Sequence, residues 1–149
     1  MPNYTSHIIF NFVVLFIIYI VIYDENILTL SQLIIFSLSY LIGTTLITPD
    51  LDIKSKCSKW LGILSLPYRK ILKHRGISHH WLFGILTRIV YFSLILMIFI
   101  SSFLLLTEYN VFIFLNITFQ LFVEYKIETF LFFIGLFLSN LMHVFLDKL

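Results

Sequence analysis

Four long apolar runs, each closed by charge or proline, constrain this chain more than any other feature. They cover Ile8 to Tyr23, Ile27 to Ile47, Trp81 to Leu106 and Phe130 to Phe145. A helix rising 1.5 Å per residue needs roughly 17–25 apolar residues to cross the hydrocarbon core of a bilayer. With 60% hydrophobic and only 12% charged residues, a water-soluble domain would be left with large apolar patches on any surface it built. The expected fold is therefore all-α: a polytopic bundle of about four transmembrane helices. The first run lacks a basic n-region and a small-residue cleavage site, so it reads as a permanent helix and not as a removable signal. Residues 1–149 show no internal repeat, linker or low-complexity tract and are read as a single domain. Cys57 is the sole cysteine, which excludes an internal disulfide and a cysteine-rich zinc site.

The ends of the runs follow from local chemistry. Asp24-Glu25-Asn26 closes the first, and Thr48-Pro49 stops the second, because proline disfavours helical geometry in the residue before it. Arg88 interrupts the third near its start, where a long side chain is expected to snorkel toward the headgroups. Val111 to Val123 is too short for a comfortable crossing and reads as an interfacial or re-entrant segment. Seven basic residues, Lys54, Lys56, Lys59, Arg69, Lys70, Lys73 and Arg75, lie in the segment from Asp50 to His80. Asp24, Glu25 and the region from Glu108 to Glu128 oppose them with mostly acidic charge. The positive-inside rule then places the basic loop, and with four spans both termini, on the cytoplasmic side. Within that loop, Ser58 to Leu72 interleaves Trp60, Leu61, Ile63, Leu64, Leu66 and Tyr68 with basic residues. This pattern predicts an amphipathic helix in the headgroup plane, broken near Pro67.

The polar residues are the exception to the grease. Thr48-Pro49-Asp50-Leu51-Asp52 is followed some twenty residues later by His74-Arg75-Gly76-Ile77-Ser78-His79-His80. Carboxylates and imidazoles together are ligands for a divalent cation. Four spans add His7 at the start of the first helix and His143 with Asp147 at the end of the last. The last two, four residues apart, share a helical face. All five histidines then meet Asp50, Asp52 and Asp147 at one membrane depth. A fifth crossing would send His143 and Asp147 to the far side. An ionisable residue such as His143 inside an apolar span is costly and usually functional.

Ser6-His7, Pro49-Asp50-Leu51-Asp52, His74-Arg75-Gly76-Ile77-Ser78-His79 and His143-x3-Asp147 resemble the YdjM-like family of LexA-regulated, inner-membrane, metal-dependent hydrolases. The stretch from Tyr68-Arg69 through His74-Arg75 to Arg88 is especially similar to a sister group of uncharacterised metal-binding membrane proteins. The resemblance implies a helical protein of a prokaryotic cytoplasmic membrane with a divalent-metal site and hydrolase activity. Its motif positions fall on His7, Asp50, Asp52, His74, His79, His143 and Asp147. His80 stands where a small or polar residue is commoner, so no role carries over to it.

Seven candidates exceed the three protein ligands that a catalytic zinc takes. The remainder either orient imidazoles as outer partners or hold a second ion, with Asp50 as a bridge. The mixed donor set favours zinc over manganese, iron or magnesium. Asp50, His79 and Arg75 are the expected catalytic residues, with Arg75 and Lys73 facing a phosphate. A site at headgroup depth suits membrane lipid or another phosphate-bearing amphiphile as substrate. The loop's charge needs no nucleic acid to explain it. Five histidines are too few for a di-iron desaturase, and no His-Glu-x-x-His or Gly-x-Ser-x-Gly occurs. The rival reading is a non-catalytic protein with a structural metal, whose basic loop binds anionic lipid or a partner.

Overall fold

The computed structural model describes residues 4–25, 27–72 and 76–149. Seven helices stand among them: α1 (Tyr4–Asp24), α2 (Leu30–Thr45), α3 (Lys56–Leu61), α4 (Leu66–Ile71), α5 (Phe83–Thr107), α6 (Val111–Glu124) and α7 (Lys126–Leu146). Short 3-10 turns occupy Pro49–Asp52, Gly62–Ser65 and Ile77–His79. No strand forms among the described residues. Four helical segments are long and apolar enough to cross a membrane: α1, α2 with its following turn, α5 and α7.

Helix boundaries follow capping chemistry more closely than hydrophobicity. A capping box opens α2: Thr29 accepts from the Gln32 amide, and the Gln32 side chain accepts from the Thr29 amide. α5 begins at Phe83 and not at Trp81, because the turn over Ile77–His79 must first be closed. Asn110 caps α6, whose fourteen residues rise about 21 Å, short of the roughly 30 Å core. α7 begins at Lys126, four residues before the apolar run, after Tyr125 leaves helical geometry.

α2 and α7 form the main packed pair. They run parallel: Gly43 lies against Ser139, Gly135 against Ser39, and Gln32 reaches Glu128 at 3.4 Å in the same register. A Cβ on Gly43 or Gly135 would come 2.0 Å from the facing serine Oγ. Small residues spaced by four therefore let these backbones approach, the usual basis of helix pairing in lipid. α1 joins this pair through Tyr40, whose buried hydroxyl donates to Asn11 at 2.9 Å.

Two expectations are corrected. The basic segment is not one helix broken at Pro67. It is α3 and α4, divided at Gly62, whose φ of 54° is a left-handed value that favours glycine. Pro67 instead sits in the first turn of α4, where its missing N–H costs nothing. Arg88 does not snorkel: it turns inward and has no exposed surface. The α3–α4 segment is docked, with Cys57 and Tyr68 packed on Leu51. Tyr91 of α5 donates to the Leu64 carbonyl and clamps it further.

Candidate metal centre

The ends of α1, α2 and α7 and the turn before α5 meet at one place. His7 stands in the first turn of α1 and is buried. One turn on, Asn11 donates to the His7 carbonyl at 2.9 Å while accepting from Tyr40, which fixes this end of α1 on α2. The His7 ring stacks on that of His143, with centroids 3.8 Å apart and planes 8° from parallel. His143 lies in the last turn of α7. Its Nδ1 meets the Thr48 hydroxyl at 3.2 Å, which turns Nε2 toward the carboxylates. That Nε2 is 3.7 Å from Asp50 Oδ1 and 3.7 Å from Asp147 Oδ2.

Asp147 sits at the centre. Its Oδ1 is 3.3 Å from His7 Nε2, and its Oδ2 is 3.1 Å from His79 Nδ1. Burial alone would raise the Asp147 carboxyl, but hydrogen bonds from His7 and His79 and the nearby His143 outweigh it, leaving the group well below the usual carboxylate range. Asp50 and Asp52 lie on the 3-10 turn that follows α2, opened by Pro49. Asp52 is buried; its Oδ2 accepts from the Ser78 hydroxyl and stands 3.9 Å from His79 Nε2. Gly84 makes room for the turn that carries His79: a Cβ there would lie 2.2 Å from the Ser78 carbonyl oxygen.

These donors fit a divalent ion. One ligand atom each from His7, His143 and Asp147 can be chosen so that all lie within 4.8 Å of one another. Across tetrahedral zinc with bonds of about 2.0–2.1 Å, neighbouring ligand atoms stand roughly 3.3 Å apart, close to the spacings found here. Buried His143 Nε2, which faces Asp50 and Asp147, also lacks a hydrogen-bond partner among the described residues. Buried polar groups are normally satisfied, so such an atom asks for a partner of another kind.

Of the residues singled out in the sequence, His7, Asp50, Asp52, His79, His143 and Asp147 come together. His74 and Arg75, with Lys73, lie outside the described residues. His80 turns away: its Nδ1 accepts from the Leu82 and Phe83 amides at 3.2 Å each, capping α5, and its ring packs on Trp81 and Phe83. Thr48, Ser78 and Asn11 were missed as supports. Asn11 carried a signal, a polar residue one turn from His7 on the same face of an apolar span. Thr48 and Ser78 carried none beyond adjacency to the motifs.

An all-helical protein with spans of membrane length and a buried His/Asp cluster at their ends defines the class. Over residues 2–149 the sequence matches the family described as uncharacterized metal-binding protein (DUF2227), and the chain belongs to that family. The family's description carries metal binding and no reaction. Neither a curated protein nor a solved structure matches the chain.

Proposed function

We propose that this chain is a membrane-bound, metal-dependent hydrolase acting on a phosphoester of a lipid-like substrate at the cytoplasmic face. The observation that carries this reading is the convergence of three histidines and three aspartates from separate elements, beside an apolar groove. His7, His143 and Asp147 would hold the ion, with Asp50 and His79 completing the cluster. Three imidazoles in the donor set favour zinc. When bound, the ion supplies Lewis acidity and makes water nucleophilic near neutral pH.

The chain's own residues do the rest. Thr48 orients the His143 ring, and Asp147 orients His79 through Nδ1. Arg75 would engage the substrate phosphate with its planar fork. The groove, about 630 Å3, is lined by Tyr68, Ile71, Ile77, Phe83, Val90 and Leu94 among others. From Phe83 to Leu94 it follows α5 for about 16 Å, the depth of one leaflet of a ~30 Å core. The hydroxyls of Tyr68 and Thr87 face each other at 3.3 Å, so they leave the lining apolar. Ile77 of this wall and His79 of the cluster share one 3-10 turn. Arg69 and Lys70 on α4 supply positive charge for an anionic headgroup. An acyl chain in the groove would thus bring its headgroup to the cluster.

Replacing Asp50 or His79 by Ala is expected to abolish both bound metal and phosphoester turnover in lipid vesicles; full zinc or manganese content in both variants sinks the assignment. A structural metal is the second reading, favoured by Asp50 standing 3.7 Å from His143 Nε2, since a fourth protein ligand would saturate zinc. X-ray absorption of the zinc-loaded protein separates them: a saturated protein shell speaks for structure, and an open position for catalysis.

A further inference from the structure

Arg88 lies in the second turn of α5, fully enclosed by protein. A cation in an apolar helix is costly unless its donors are matched. Here Nη1 donates to the Ser78 carbonyl at 3.0 Å and Nη2 donates to Asn140 Oδ1 on α7, while the buried Nε has no hydrogen-bond partner among the described residues. Asn140 in turn donates through Nδ2 to the Trp81 carbonyl at 2.8 Å. One guanidinium therefore ties the segment before α5, α5 itself and α7 together.

Both tie points lie next to candidate ligands. Ser78 precedes His79, and its hydroxyl donates to Asp52. Asn140 lies one turn before His143 on the same side of α7. The His79 and His143 rings, 64 residues apart in sequence by their numbering, stand 6.2 Å from centroid to centroid. Imidazoles that share an ion must be held to about half an ångström by the groups around them. Both acceptors of Arg88 are neutral, while the Asp52 charge also acts on the guanidinium, so fork geometry and charge are to be separated by substitution. A lysine would keep the charge but not two rigid, coplanar donors.

We propose that Arg88 is a positioning residue of the metal centre, fixing the His79 turn against α7 and so setting the His79–His143 separation that an ion meets. This rests on the metal-centre part of the proposed function and not on hydrolysis.

The test uses full-length protein in detergent with Co2+ as probe, reading the binding isotherm and the visible ligand-field spectrum. Arg88→Lys and Arg88→Gln are each expected to weaken Co2+ binding about 10–100-fold and to change the spectrum at saturation, with helical circular dichroism retained. Wild-type affinity and spectrum in Arg88→Lys would overturn the proposal, because charge alone would then suffice. A lowered melting temperature with an unchanged saturated spectrum overturns it too, since that is a merely structural role. Should the Arg88 variants fail to fold, Asn140→Ala decides, because it removes the α7 end of the fork and keeps the cation. A changed Co2+ spectrum in that variant supports the proposal and an unchanged one ends it. If the wild type binds no Co2+, the metal centre itself falls, and this inference with it.

Discussion

α5 has the most apolar composition of the four long segments and is the least buried, while α2 and α7 are less apolar and form the packed axis. About a third of the core window of α2 and of α7 is enclosed, against 6% for α5. The difference teaches that hydrophobicity directs these helices into lipid but does not bring them together. Lipid tails are as apolar as leucine, so close approach and interhelical hydrogen bonds decide the pairing. α2 and α7 offer Ser39-x3-Gly43 and Gly135-x3-Ser139, which mesh face to face. Beyond Gly84, α5 presents Leu, Ile, Met and Phe outward, and α6 has no buried residue at all. The axis ends in Thr48, Asp50, His143 and Asp147. The cluster is thus anchored where the backbones are closest, and His7 and His79 are brought to it by hydrogen bonds.

The largest expected effects test that anchor. His143→Ala removes the donor between Asp50 and Asp147 and is expected to abolish metal binding, measured as metal per protein after purification; unchanged content would detach the cluster from the axis. A smaller loss is expected from Gly84→Ala. The new Cβ would meet the backbone carbonyl of Ser78, so the turn must shift and carry His79 with it. Metal affinity should drop about 10–100-fold, as for outer supports of metal ligands, with helical content retained. Next comes the axis itself. Gly135→Ala drives a methyl to 2.0 Å from Ser39 Oγ and 2.7 Å from the Phe36 carbonyl, and overpacking of this kind costs about 1–3 kcal/mol. Leu96→Ala on the outward face of α5 should cost within about 0.5 kcal/mol, the usual range for an exposed site away from special features. Denaturant unfolding in mixed micelles compares the two, and equal costs would erase the contrast between axis and cover.

Much of this was legible in the residues. The spans could be read because apolar runs of membrane length are a composition signal. His7, Asp50, Asp52, His79, His143 and Asp147 could be grouped because alternating spans return every second helix end to the same depth. The pairing of α2 with α7 was not legible, because Gly43 and Gly135 take their meaning only from the facing Ser139 and Ser39, each 96 positions away in sequence. Arg88 was misread because position along a helix does not tell which way a long side chain turns. What turned it inward was Asn140 and the Ser78 carbonyl, contacts of the tertiary fold. The break at Gly62, not Pro67, followed from backbone geometry: proline tolerates a first helical turn, and glycine takes the left-handed value.

The smallest effect concerns whether α3 and α4 belong with the axis or with the cover. Cys57 on α3 is fully buried, and its thiol donates to the Leu46 carbonyl at the end of α2 at 2.8 Å. Burial, with a contribution from the Asp50 charge, pushes the thiol up to about 12. The thiolate is the reactive form, so at pH 8 only roughly one molecule in 10,000 would carry it. A free thiol with a pKa near 8.5 gains alkylation rate steeply between pH 7 and 9. Folded protein should instead show almost no iodoacetamide labelling across that window, and full labelling once unfolded. Labelling at the free-thiol rate in the folded state would mean that α3 is not seated on α2, and would move this segment from the axis to the cover. Protection with intact metal binding, and loss of protection in a Tyr91→Phe variant that cannot hold the Leu64 carbonyl, would place the seating in the clamp from α5.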